Sequence, residues 1–194
     1  MEMGISDTKK MSKKELRTHY LAVRKSMDPA VCRSKSKSIH DHFLQSEVLS
    51  SAQVIHMYLS IPGQNEVDTT LLLPRLFSLG KTVAVPCIRP GHQLIHKIVS
   101  NNTTFKTGKW GVSEPLNGDV VQPDDLDIVL VPMVAGDCKH QRLGYGKGFY
   151  DRFLEKTKAV HIGFLFDASL HPEPFPVEEH DHPLDYFITE SGFC

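Results

Sequence analysis

Residues 128–154 limit the fold more than any other stretch. Ile128-Val129-Leu130-Val131-Pro132 is a continuous apolar run, which suits a strand covered on both faces. Ten polar and small residues, counted from Pro132, lead on to Arg142-Leu143-Gly144-Tyr145-Gly146-Lys147-Gly148-Phe149-Tyr150-Asp151. Phe149, Tyr150, Phe153 and Leu154 then repeat at helical spacing, so a helix opens near Gly148. A glycine loop entering a helix leaves backbone N–H groups unpaired and exposes the positive end of the helix dipole. That is an anion site, and phosphate is the usual anion. Arg142 and Lys147 add positive charge, and Asp151 adds a carboxylate suited to Mg²⁺. The loop matches neither common phosphate fingerprint. Phe149 stands where the dinucleotide pattern needs glycine, and Gly148 stands where Walker A needs Ser or Thr. A plain glycine turn between strand and helix is the competing reading.

The rest of the chain alternates helices and strands. A helix starts at Lys13-Lys14-Glu15-Leu16-Arg17, with Leu16, Tyr20, Val23 and Met27 on its apolar stripe; Asp28-Pro29 ends it. A second runs over 29–46, with Cys32, Ser36, Ile39 and Phe43 inward. His40 and His42 face different sides of it and are poor candidates for a shared metal. Strands are expected over 54–59, 82–86, 94–99, 127–131, 160–166 and 185–189. Asp68 is placed to cap a third helix ending at Gly80, with Pro74 kinking it or delaying its start. Residues 106–115, with Trp110, read as a loop. Such alternation predicts an α/β domain: a mostly parallel sheet with helices on both faces. Ligands bind beyond the carboxyl ends of such strands, which puts Glu66 and the 142–151 loop on one edge.

A length of 194 residues fits one such domain, over 11–194, behind a flexible segment 1–10. A net charge near −1 argues against nucleic acid or an acidic membrane as partner. The absence of a long apolar run or signal core predicts a cytoplasmic protein. Cys32, Cys87, Cys138 and Cys194 lack CxxC spacing and read as ordinary thiols in a reducing compartment.

The string from Arg142 to Arg152 resembles the signature of the 5-formyltetrahydrofolate cyclo-ligases, also called methenyltetrahydrofolate synthetases. Three further segments agree in order and spacing: Lys13 to Arg17; Tyr58-Leu59-Ser60 with Glu66-Val67-Asp68-Thr69; and Glu179-His180-Asp181 with Asp185 to Thr189. The resemblance spans about 13–190. It implies a single three-layer α/β/α domain with a partly mixed sheet, NagB/RpiA/CoA-transferase-like, acting as a monomer. It also implies MgATP-driven conversion of 5-formyltetrahydrofolate to 5,10-methenyltetrahydrofolate, with release of ADP and phosphate. The formyl oxygen would attack the γ-phosphate, N10 would close the ring, and phosphate would leave.

By that resemblance Lys13 and Arg17 meet the nucleotide phosphates, with Arg142, Leu143, Gly144, Tyr145, Gly146, Lys147, Gly148, Phe149 and Tyr150. Arg142, Lys147 and Tyr150 are the implied catalytic residues, and Asp151 and Asp181 the implied Mg²⁺ ligands. Glu66 would accept hydrogen bonds from the pterin's amino-pyrimidine edge, with Leu59, Trp110 and residues 145–149 beside the folate. Phe149 replaces a tyrosine common in relatives, and Lys147 a glycine seen in some. Pro62-Gly63-Gln64-Asn65 lengthens the loop before Glu66 and is expected to shift its approach. A zinc site at His180 and His182 has weak support without cysteines. The alternatives are a folate- or nucleotide-binding protein without turnover and a sugar-phosphate isomerase on a similar scaffold; fold alone does not separate them.

Overall fold

The computed structural model describes residues 11–179 and 181–194, and of His92 only the backbone. The flexible segment expected over 1–10 and the histidine at 180 therefore lie outside the described residues. The helices are α1 (Lys13–Ser26), α2 (Pro29–Leu44), α3 (Glu47–Ser51), α4 (Leu73–Ser78) and α5 (Phe149–Leu154). The strands are β1 (Val54–His56), β2 (Thr82–Arg89), β3 (Gln93–Val99), β4 (Phe105–Thr107), β5 (Ser113–Pro115), β6 (Val120–Val121) and β7 (Ile128–Val131). They continue with β8 (Ala135–Asp137), β9 (Arg142–Leu143), β10 (Val160–Phe164), β11 (Leu170–His171), β12 (Tyr186–Thr189) and β13 (Gly192–Phe193).

Helix starts follow local chemistry. Ser12 and Glu15 form a reciprocal capping box on α1. Asp28 caps α2, accepting from Ala30 N–H at 2.7 Å, with Pro29 in the first turn. Pro74 delays α4: Asp68 caps a short 3-10 turn over Thr69–Leu71, and the helix proper begins at Leu73.

Eight strands form the main sheet in the order β13-β12-β10-β7-β1-β2-β3-β6. Pairings among β12, β10, β7, β1 and β2 are parallel; β3, β6 and β13 add antiparallel edges. Period-two alternation gives each strand two buried faces. On β7, Ile128 and Leu130 pack with Ile55, Val83 and Val85 against Ile39 and Phe43 of α2 and Leu76 of α4. Val129 and Val131 point the other way, toward Phe153 and Leu154 of α5. The result is helix, sheet, helix: the α/β/α arrangement with a partly mixed sheet. The first helix packs on a small sheet, β11-β8-β9, through Leu16, Tyr20, Val134, Ala135, Leu143 and Phe175.

From β1 the chain steps to β2 and β3 on one side; from β7 it steps to β10 and β12 on the other. The segments leaving β1 and β7 therefore diverge, and a crevice opens between them at the strands' carboxyl ends.

Several expectations need correction. Residues 106–115 are not an open loop. β4 and β5 pair as a hairpin, with Trp110 at its turn in a left-handed conformation, φ 61°. The ten residues before the glycine string contain β8, which pairs with β9. β1 is only three residues long, and β2 runs on to Arg89. On α1, Val23 and Met27 are half-buried, and Arg24 occupies the inner stripe at 4% exposure.

Candidate functional site

The crevice holds a cavity of about 740 Å³, within the range of small-molecule sites. Every site residue named from the sequence lines it: Lys13 and Arg17 from α1, Leu59 and Glu66 from the segment after β1, Trp110 from the hairpin, residues 142–151, and Asp181. Sequence reasoning missed Lys14, Tyr58, Ile61, Gln64, Pro86 and Glu178 on the same wall. Tyr58 sits inside a quoted motif, so its signal was present.

The glycine string turns back on itself. Gly146 and Gly148 have φ of 78° and 66°, conformations that side chains resist. A Cβ on Gly148 would also lie 2.8 Å from the Arg152 guanidinium. The following helix, α5, has only six residues. Its dipole sums few peptide units, so the field in this part of the pocket comes mainly from side-chain cations.

Those cations are held in place. Arg17 Nε donates to Gly144 O at 2.7 Å. Arg142, its side chain 6% exposed, pairs with Asp151, and its Nε has no partner. Burial pushes the Arg142 pKa down, against the pull of Asp151, Tyr150 and Asp181. Lys13 pairs with Asp181 and lies 3.5 Å from Glu178. Lys147 is exposed. Asp151 and Asp181, two hard carboxylates within reach of one guanidinium, fit Mg²⁺ shared with substrate phosphates. Among the described residues no cluster of three or more His, Cys, Asp or Glu is placed to hold a metal by itself.

The opposite wall is aromatic. Trp110 and Phe149 meet edge to face at 5.7 Å, and Lys109 lies 4.8 Å above the Trp110 ring. Leu59, buried, lines the same pocket. The Tyr150 hydroxyl is shielded and has no hydrogen-bond partner among the described residues, and burial raises its pKa. Glu66 bends back so that Oε2 accepts from Ile61 N–H at 2.7 Å, closing the lengthened loop on itself. Its Oε1 accepts from the Tyr145 hydroxyl. Burial, then the neighbouring Glu66 charge, pushes the Tyr145 pKa up, so Tyr145 stays a neutral donor.

A switch-point pocket with a cationic end and an aromatic end defines a small-molecule site of α/β-enzyme type. The 5-formyltetrahydrofolate cyclo-ligase family profile matches residues 9–190. The chain belongs to that family, whose members are enzymes. It is 31% identical to the 5-formyltetrahydrofolate cyclo-ligase of Haemophilus influenzae, over 89% of this chain and 94% of that protein. The Escherichia coli K12 enzyme of the same name is 35% identical over 72% and 79%. The solved structure of 5,10-methenyltetrahydrofolate synthetase from Aquifex aeolicus superposes with a TM-score of 0.84 at 30% identity, covering 94% and 92%.

Proposed function

We propose that this chain closes 5-formyltetrahydrofolate to 5,10-methenyltetrahydrofolate at the expense of ATP. The observation that carries the proposal is one pocket lined both by the cations Lys13, Arg17, Arg142 and Lys147 and by Trp110 and Phe149 with the Glu66 carboxylate. Phosphoryl transfer depends on positioning and charge neutralisation. Lys13 and Arg17 approach the phosphates from α1, and Arg142 and the 143–150 backbone cradle them from the other side. Arg142 and Lys147 offset the charge that builds on the transferred group, and Tyr150 contributes a hydroxyl with no hydrogen-bond partner among the described residues. Mg²⁺, when bound, would draw negative charge from the phosphates; Asp151 and Asp181 would hold it once they exchange Arg142 and Lys13 for it.

At the aromatic end, Glu66 accepts from the pterin's amino-pyrimidine edge, and Leu59, Trp110 and residues 145–149 lie along the flat rings. The formyl oxygen attacks the γ-phosphorus and ADP leaves. N10 then bonds the activated carbon, and the C–O bond breaks with loss of phosphate. Apart from these small molecules the reading includes no partner: the chain acts as a cytoplasmic monomer, and light scattering checks the oligomeric state. Among the described residues no helix is long and apolar enough to cross a membrane.

The decisive assay follows methenyl absorbance with 5-formyltetrahydrofolate, with and without MgATP. ATP-dependent growth is expected. Folate binding without product would overturn the proposal in favour of a binding protein.

A further inference from the structure

Arg24 carries a charge where α1 faces the protein interior. It follows Tyr20 by one turn and Arg17 by two, and it is 4% exposed. A buried cation normally has a carboxylate beside it. Among the described residues Arg24 has none within ion-pair distance. Its Nη2 donates instead to the Tyr145 hydroxyl at 2.6 Å, its Nη1 donates to Met133 O at 3.4 Å, and its guanidinium lies 5.5 Å from the Tyr145 ring centre. The same hydroxyl donates to Glu66 Oε1. Arg24 thus meets its compensating charge through a tyrosine. Each bond in such a chain polarises the next.

The backbone supports the same contact. Asn65, in a left-handed conformation at φ 49°, donates from Nδ2 to Arg24 O at 3.1 Å and Met27 O at 2.9 Å. The residue before Glu66 is therefore pinned to the end of α1, while Arg17, lower on the same helix, holds Gly144. Without these ties Glu66, half-exposed on a loop, would keep only the Ile61 N–H bond to Oε2, about which its carboxylate could turn.

We infer that Arg24 is a positioning residue: through the Tyr145 hydroxyl it fixes the plane of the Glu66 carboxylate that reads the pterin. The inference rests on the folate reading of Glu66. Orienting the carboxylate beforehand removes an ordering cost from binding, so its loss weakens folate affinity and leaves the phosphate contacts in place.

The test is calorimetric titration of 5-formyltetrahydrofolate into the full chain as wild type, Tyr145→Phe, Arg24→Met and the double variant, with ATP KM measured in parallel. Each single change is expected to raise the folate Kd about tenfold and to move the ATP KM less than twofold. The double variant should bind within about twofold of the weaker single, because both changes break one chain. Unchanged folate Kd, additive losses, or equal weakening toward ATP overturns the inference; if Arg24→Met does not fold, Arg24→Lys, which keeps the charge and loses the forked donor, takes its place in the cycle. Wild-type protein that binds folate without forming product removes the proposed reaction and leaves the positioning role standing. Wild-type protein that binds no folate overturns both.

Discussion

At the end of the pocket nearest α1, both carboxylates expected to meet a metal already have cations: Asp151 has Arg142, and Asp181 has Lys13. At the aromatic end the single carboxylate, Glu66, is held by neutral donors only, the Ile61 N–H and the Tyr145 hydroxyl. The first arrangement suits a trade of partners. In the proposed reaction phosphates would take the cations and a divalent metal the carboxylates, so charge would stay compensated throughout. The second leaves a carboxylate with no cation directly on it, an acceptor suited to a donor-rich heterocycle.

The largest break in that contrast should come from Asp151→Asn. It strips one charge from the trading end, and kcat is expected to fall by about 10³-fold, the size seen when one strongly placed electrostatic group is lost. Thermal unfolding should move far less than turnover, and wild-type turnover at ordinary Mg²⁺ would remove Asp151 from the metal site. Arg142→Ala should act on the same end, with a loss of about 10²-fold or more in kcat/KM for ATP. Kinetics equal to wild type would end its phosphate role.

Next in size is Glu66→Gln, which keeps the shape and removes the charge. Folate KM should rise by about 10- to 100-fold while ATP KM stays put, as expected for a hydrogen bond to a charged group worth about 1.5–3 kcal/mol. Parallel changes in both constants would show that the two ends are not separate. Trp110→Ala should cost roughly tenfold in folate KM, since the ring supplies contact area and stacking without charge.

The smallest effect sharpens the comparison from beneath. His96 stacks on Phe153 at 4.0 Å, and Phe153 meets Tyr150 edge to face. His56 adjoins both, its two ring nitrogens unpartnered. Burial lowers the His96 pKa to about 4 and holds His56 well below its ordinary range. His40, between α2 and Phe164, is also lowered to about 4 by burial. These are bases that the folded state keeps neutral, so the unfolded chain binds more protons below about pH 6.5. Stability should be insensitive to them above that pH and should decline as pH falls toward 4. The cost is about 2 kcal/mol at pH 5 for each of His40 and His96, and His56 acts in the same direction. Denaturant midpoints measured between pH 7.5 and 5 check this, and a flat profile would refute it.

The parts legible in the sequence carry strong local signals. β7 is a pure apolar run, Gly146 and Gly148 need left-handed backbone, and Glu66 stands beside a turn and a capping aspartate. What escaped has weak signals or signals that point the wrong way. β8 and β9 contribute three and two residues, too few for periodicity to register. β5 is Ser113-Glu114-Pro115, of low strand propensity. It is held in place because buried Glu114 accepts from Ile88 N–H at 3.1 Å. Arg24 stands off the expected stripe of Leu16, Tyr20, Val23 and Met27, and arginine is ordinarily a surface residue; only the tertiary arrangement supplies the Tyr145 hydroxyl that makes its burial tolerable.

The grip of α1 on the pocket also sets an order of events. Lys13 reaches Asp181 across 168 residues, and Arg17 reaches Gly144 across 127. The first helix leaves the ribosome long before its partners exist, so this wall of the pocket closes only once residue 181 has been made. Loop closure over such spans is slow, and it comes after the local pairings of β2 with β3 and β4 with β5. A ligand that met both Lys13 and Asp181 would tie the first helix to the segment around residue 181. Resistance to unfolding from either end should therefore rise with nucleotide and folate concentration.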